Sequence, residues 1–379
     1  MINARTVKFL AGFSLLVLAV AVLWPVHPAR ADSSLAFLAN RDLSRLGVDR
    51  PDLFWPAQLS RDGRTLLATE DLEGEATRSG ALSRLWVLRF NSDGSVREAR
   101  KIPLKMPRFL QLTMTPDERG VVLLAREGAS FWSLDLQTGD LREFIHSGMG
   151  VTRFVAQPHV LWPYQGRLYT LGHPLDSQGT RQGLTLVTLA PDRTDEQAIG
   201  STGVDVAAVY DHFDQVRNAR WLDPSLAFIG GTLQGTFKMT CWKKDSGFHE
   251  IATLERVTSM LGMGEHLALT GVSKQGLSLA MLFDASSGAR WEAPALPPER
   301  EYNYPFISDD AGTLVLTEGR KAGQLINLLY GRQQSGYDLR PLPGLQNKKP
   351  GVLRLAAQGS HLVFRNPDGL YYAAIPPGR

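Results

Sequence analysis

The chain of 379 residues holds a single cysteine, Cys241. One thiol excludes an internal disulfide, and no Cys-x-x-Cys-His is present to attach a c-type haem. Cys241 reads most simply as a small buried hydrophobe. A Gly-x-Ser-x-Gly pentapeptide is also missing, since "GVSKQG" (271 to 276) has the wrong spacing for a nucleophile elbow. Neither a Walker loop, nor a dinucleotide fingerprint, nor His-Glu-x-x-His occurs, so no cofactor is expected. Surplus charge of one sign is lacking too. The formal charge of +3 comes from Arg5, Lys8 and Arg30, which sit in a segment without acids, and the remainder balances to zero. Nothing in that balance points to electrostatic capture of nucleic acid or anionic lipid.

What is present begins with that segment. Arg5 and Lys8 precede an apolar run from Phe9 to Val26, followed by Pro28 and Ala29-Arg30-Ala31. A basic stretch, an apolar stretch and a small-x-small tripeptide form a secretory signal over 1–31, with Asp32 as the mature start. The alternative is an uncleaved anchor, for which about 18 apolar residues is the lower limit. Both place the body, 32–379, outside the cytoplasm as one domain, periplasmic or secreted, and touching a membrane only if the leader is retained.

Gly 36 and Pro 22 suit many turns and few long helices. One turn phrase recurs ahead of an apolar strand: "RDGR" at 61, "DERG" at 117, "YQGR" at 164, "LDPS" at 222, "GMGE" at 262, "DDAG" at 309 and "AQGS" at 357. A second mark follows aromatic-bearing strands at Gly94, Gly139, Gly247, Gly288 and Gly336, with "LVTLAPDRTD" (186 to 195) filling one gap without glycine. The spacing of about 40 to 60 residues suits four-stranded units. Asp-Gly supplies a turn in which positive φ costs little. Runs such as "TLVLTE" and "LSLAMLFD" are apolar throughout, as strands covered on both faces must be. A lone sheet cannot cover both its faces, whereas a ring of sheets can.

The expected fold is all-β: a β-propeller of seven four-stranded blades, with six or eight as the alternatives. The blade cores are placed at 53–104, 107–147, 151–200, 206–254, 256–297, 303–344 and 350–376. The last shows only three strands, and "SLAFLA" (34 to 39) is the candidate for its fourth, closing the ring between the chain ends. The recurring phrase is read as one turn and inner strand per blade. "SRDGRTLLA", "TPDERGVVLLA" and "SDDAGTLVLT", each followed by an aromatic strand, resemble WD40-like repeats of the TolB-type periplasmic β-propellers. The motif is clear in blades one, two, five and six and eroded in three, four and seven. The resemblance covers the propeller alone and implies a binding role in the envelope.

Candidate contact residues are turn-borne aromatics. "HVLWPYQGRLY" gathers Trp162, Tyr164 and Tyr169, and "REYNYPF" gathers Tyr302 and Tyr304. The competing reading for each is strand packing, which already accounts for Trp86, Trp132 and Trp242 at equivalent positions. One metal candidate stands out: Asp211, His212 and Asp214 in "YDHFDQ". Its alternative is a solvated loop or helix start. The polar loop 70–83 reads as a partner contact or a mobile loop, and the basic stretch 346–351 reads as solvated.

These features favour a non-catalytic exported scaffold for another envelope protein, a peptide or a glycan. The alternative is a propeller enzyme of lactonase or lyase type, or the large subunit of a periplasmic amine dehydrogenase. The leader carries its own test. Intact mass of the exported protein is expected to place the first residue at Asp32, and a mass that retains residues 1–31 favours the anchor instead.

Overall fold

A computed structural model describes residues 35–376 apart from 71–82, 107–108, 126–129, 146–153, 177, 321–324, 333–336, 338, 343, 346–351 and 357. Residues 1–31, for which a leader was expected, most of the polar loop after Glu70, the basic stretch and Gly336 lie outside the described residues. The chain forms seven antiparallel four-stranded sheets. They cover 54–104, 109–145, 154–205, 215–253, 256–292, 300–341 and 352–374, and Leu35–Ala39 completes the seventh. This is a seven-bladed β-propeller. Two short helices interrupt it, α1 (Asn40–Arg45) after the N-terminal strand and α2 (Val206–Tyr210) between the third and fourth blades. The third blade therefore runs to Asp205, beyond the expected end at 200, and the fourth starts only at Gln215.

The core is not one cluster but seven, each filling the seam between two neighbouring blades. Leu66 and Leu67 show how the sequence does this. Consecutive residues of a strand point to opposite faces. Leu66 accordingly joins Trp86 and Tyr372 in the seam with the seventh blade, while Leu67 joins Leu123 in the seam with the second. The same alternation sends Ala268 and Leu269 to the two sides of the fifth blade. Trp86, Trp132 and Trp242 pack into seams as expected. Cys241 is buried beside Phe228 in the seam of blades four and five, where desolvation pushes its thiol up to about 11.

The recurrent phrase is one hydrogen-bonded turn. In the first blade Ser60 Oγ donates to Asp62 Oδ1 at 2.7 Å, Arg64 N donates to the same oxygen at 2.9 Å, and Thr65 N donates to Ser60 Oγ at 2.8 Å. Thr115 and Asp117 repeat it in the second blade, and Ser308 and Asp310 in the sixth. The residue after the aspartate has positive φ in all three: Gly63, Glu118 and Ala311. Gly63 is held to glycine twice over, because a Cβ there would also lie 2.6 Å from His361 Cβ in the seventh blade.

The strand after this turn is the second of its blade, not the innermost as the sequence pattern implied. The first strands lie nearest the axis: the second blade's touches those of blades one and three, and the fifth blade's touches those of four and six. Six of the seven carry a bulge in their pairing with the second strand, at 57, 110, 157–160, 217, 258 and 303–304. A bulge leaves backbone groups unpaired, and neighbouring blades supply partners. Arg354 Nε donates to Ala57 O at 2.7 Å, and Thr270 Oγ1 donates to Asn303 O. Gln111 clamps both backbone groups of Leu161, and Met114 N donates to Gln58 Oε1. The inner ring is thus stitched from blade to blade by side chains.

Closure follows the expected route. Leu35–Ala39 pairs antiparallel with Gly369–Ala374. Arg365, 2% exposed, fixes the junction by donating to Phe54 O, Gly369 O, Pro51 O and Asn40 Oδ1. Tyr372 adds a bond to Gly63 O and a ring stacked on Phe90 at 4.1 Å.

Two outcomes are expected. Arg365→Met strands several buried acceptors and should lower stability by on the order of 3 kcal/mol in urea titration. A loss within experimental scatter would contradict this account of closure. In the fifth blade burial opposes the ionisation of Asp284. Hydrogen bonds from Ser287 and Ser286 outweigh it and hold the carboxyl at about 2. A depressed folded pKa stabilises above the unfolded value of 3.8 and loses that contribution as pH falls through about 2. The deficit of Asp284→Ala in thermal melts should therefore be widest at neutral pH and narrow below pH 4, whereas a pH-independent deficit would contradict the assignment.

Candidate functional site

On the face that carries the turns between first and second strands, a cleft of about 390 Å³ opens between blades three and four. Gln165, Arg167, Tyr169, Asp223, Pro224, Ser225 and Lys244 line it. Two of its walls are tight turns. Gln165 and Gly166, both at positive φ, join Phe154–Tyr164 to Arg167–Pro174, as a two-residue hairpin requires. In the fourth blade Asp223 Oδ1 accepts from Ser225 N and Ser225 Oγ, both at 2.7 Å, and Lys244 N donates to Ser225 O. Neither turn uses the Ser/Thr-x-Asp arrangement of the regular blades. The motif is eroded where the cleft opens.

The lining offers two cations, Arg167 and Lys244, one carboxylate already engaged by its own turn, and a phenol. Burial raises the Tyr169 pKa; the Arg167 charge opposes the rise and the Asp223 carboxylate adds to it. Beneath the rim, Tyr169 stacks on its cross-strand partner Trp162, with centroids 6.0 Å apart and planes at 21°. Trp162 is only 4% exposed and donates through Nε1 to Leu222 O at 3.0 Å, so it ties two blades together. Tyr164 is half-buried against the seam clusters on both sides of the fourth blade, and Gln165 Nε2 donates to its hydroxyl at 3.3 Å. Burial, with the Asp223 and Glu265 carboxylates adding to it, raises its pKa. Of the aromatics named from the sequence, Tyr169 therefore reaches the cleft wall, Trp162 forms its buried backing and Tyr164 packs against the seams beside the fourth blade.

The other aromatic pair belongs to the sixth blade. Tyr302 is buried and its hydroxyl donates to Pro294 O at 2.8 Å; burial, with Glu318 adding to it, pushes the phenol up to about 12. Tyr304 lies in the bulge of the same strand and is 54% exposed. The structure does not bring this pair to the cleft. Nor does it gather Asp211, His212 and Asp214. Asp211 caps the C-terminus of α2, His212 lies flat on Phe248 at 3.9 Å, and Asp214 Oδ2 accepts from Gly235 N at 3.4 Å. Among the described residues no group of three or more metal-ligating side chains forms.

Two groups near the axis have no counterpart in the sequence reading. Arg61 N donates to Glu118 Oε1 at 2.5 Å, and its guanidinium lies 3.4 Å from Asp309 Oδ2, joining blades one, two and six. Arg220 lies with its guanidinium carbon 5.5 Å from the centre of the Trp162 ring. The only sequence signal for it was a lone cation inside "NARWLD" (218 to 223).

No family model matches the chain, and no curated protein does. Solved structures do. The oligogalacturonate lyase of Vibrio parahaemolyticus superposes with a TM-score of 0.56 at 12% identity, over 86% of this chain and 90% of its own. An oligogalacturonate lyase in complex with manganese gives 0.56 at 12%, over 91% of each chain. A puromycin-hydrolyzing peptidase of Mycobacterium tuberculosis gives 0.56 at 14%, over 91% of this chain and 55% of its own. At such identities the shared property is the propeller fold.

Proposed function

We propose that the protein is an exported, non-catalytic propeller of the TolB-like repeat type. It holds an envelope protein, a peptide or a glycan at the cleft between blades three and four. The observation that supports this reading is the composition of the cleft. Arg167 and Lys244 share the lining with the Tyr169 phenol, and the lining includes no thiol or histidine. Its one side-chain alcohol, Ser225 Oγ, donates to the carboxylate of its own turn rather than to a base that would activate it. Cations beside an aromatic suit recognition of acidic or hydroxyl-rich groups. A leader over 1–31 accords with display outside the cytoplasm.

The enzyme reading draws on the lyases and the peptidase that share this fold. Fold alone does not carry an activity across, because propeller chemistry resides in the groups a particular ring presents.

Crosslinking in the envelope from a photoreactive residue at Gln165 tests the proposal. Wild type should capture a specific component, and Arg167→Ala with Lys244→Ala should reduce that capture about tenfold, the size of a lost charge-assisted contact pair. Equal capture by both proteins would remove the cleft from the account. Turnover of oligogalacturonate or of a peptide amide by the purified chain would favour the enzyme reading.

A further inference from the structure

Interior guanidinium groups in this protein are given partners. Arg365 has four acceptors. Arg354, on the first strand of the seventh blade, donates to Ala57 O and Leu353 O. Arg100 donates to Leu136 O and Gln137 O through its terminal nitrogens, although its Nε is sealed without an acceptor. Arg220 breaks the pattern. It sits on the first strand of the fourth blade, Gln215–Asp223, beside the axis. Among the described residues its side chain makes no hydrogen bond and no ion pair, and its Nε is shut off from solvent without an acceptor. Its one described interaction is with the face of Trp162.

A second feature shows that room is kept for this side chain. Gly262, on the first strand of the fifth blade, faces the Arg220 stem, and a Cβ at that glycine would lie 2.8 Å from Arg220 Cγ. Burial pulls the guanidinium down to about 10, which leaves it a cation at neutral pH. A half-buried cation without an anion is disfavoured, and an aromatic face offsets only part of that. The strain is relieved when an anion arrives. The terminal nitrogens are the open end of the group, because only Nε is both sealed and unpaired, and a propeller axis is the route by which a ligand reaches a first strand.

We propose that Arg220 is an oxyanion receptor in the axial channel, binding the carboxylate or phosphate of a ligand, with the Trp162 ring backing the guanidinium. This subsite is separate from the cleft lined by Arg167 and Lys244 and stands whether or not that cleft holds a partner.

The test uses the full exported chain, titrated with sodium acetate and with inorganic phosphate at ionic strength held constant by chloride. Thermal midpoint and tryptophan emission are followed together. Wild type should gain midpoint with one or both anions, and its emission should change over the same concentrations. The anion that saturates first identifies carboxylate or phosphate as the preferred group. Arg220→Met should lose both responses, and in chloride buffer without acetate or phosphate it should melt at or above the wild-type midpoint, since a half-buried unpaired cation has been removed. Arg220→Gln provides the same comparison if the methionine variant does not fold. Arg167→Ala with Lys244→Ala should keep both responses, which separates failure here from failure of the cleft. The proposal is overturned if wild type responds to neither acetate nor phosphate, if the Arg220 variants respond as wild type does, or if they melt below it in chloride buffer alone.

Discussion

Everything in this molecule depends on each blade having a neighbour on both sides. No sheet owns a core. Each contributes alternate side chains to two seams, so Leu66 and Leu67 stabilise different interfaces although they are adjacent in the chain. A row of blades leaves its two terminal faces open, and only a ring removes them. The junction of blades seven and one therefore carries more wiring than sequence adjacency would supply: the Leu35–Ala39 strand, the four bonds of Arg365 and the stacked rings of Tyr372 and Phe90. Ordinary blade pairs are joined by short connections and need less.

The bulges of the inner strands belong to the same economy of contacts. A strand at the axis has no fifth strand to pair with, and the bulge aims its spare backbone groups at the neighbouring blade. Gln58, Gln111, Thr270 and Arg354 meet these groups or their neighbours. These polar residues thus have a positional reason, and Arg220 is notable for lacking one.

Blade number and closure were legible in the sequence because the turn chemistry is local. Ser60, Asp62 and Gly63 encode their own hydrogen bonds within a few residues, so the phrase can be read without knowing what it packs against. Strand order within the blade was misread for a related reason. A turn marks the junction of two strands but does not say which of them lies nearer the axis. Trp162 and Tyr302 were read as contact residues, and the structure gives both roles inside seams, where burial is decided by residues on other blades. The cleft was half legible: Tyr169 was named, while Arg167 and Lys244 come from different blades and only the ring brings them together. No spacing in one sequence reports that Arg220 lacks an acceptor. That is a property of everything around it.

Arg365 and the strand at Leu35–Ala39 also order events in time. The first strand to be delivered pairs with the last, across more than three hundred residues of intervening chain. Until residues 369–374 arrive, the seventh blade keeps an unsatisfied backbone edge and the first blade shows an apolar flank to its surroundings. Such edges recruit other chains. Synthesis from the N-terminus therefore holds the most adhesive surface open until residues 369–374 are made, and a holding factor acting on the early blades meets it at the stage of greatest hazard.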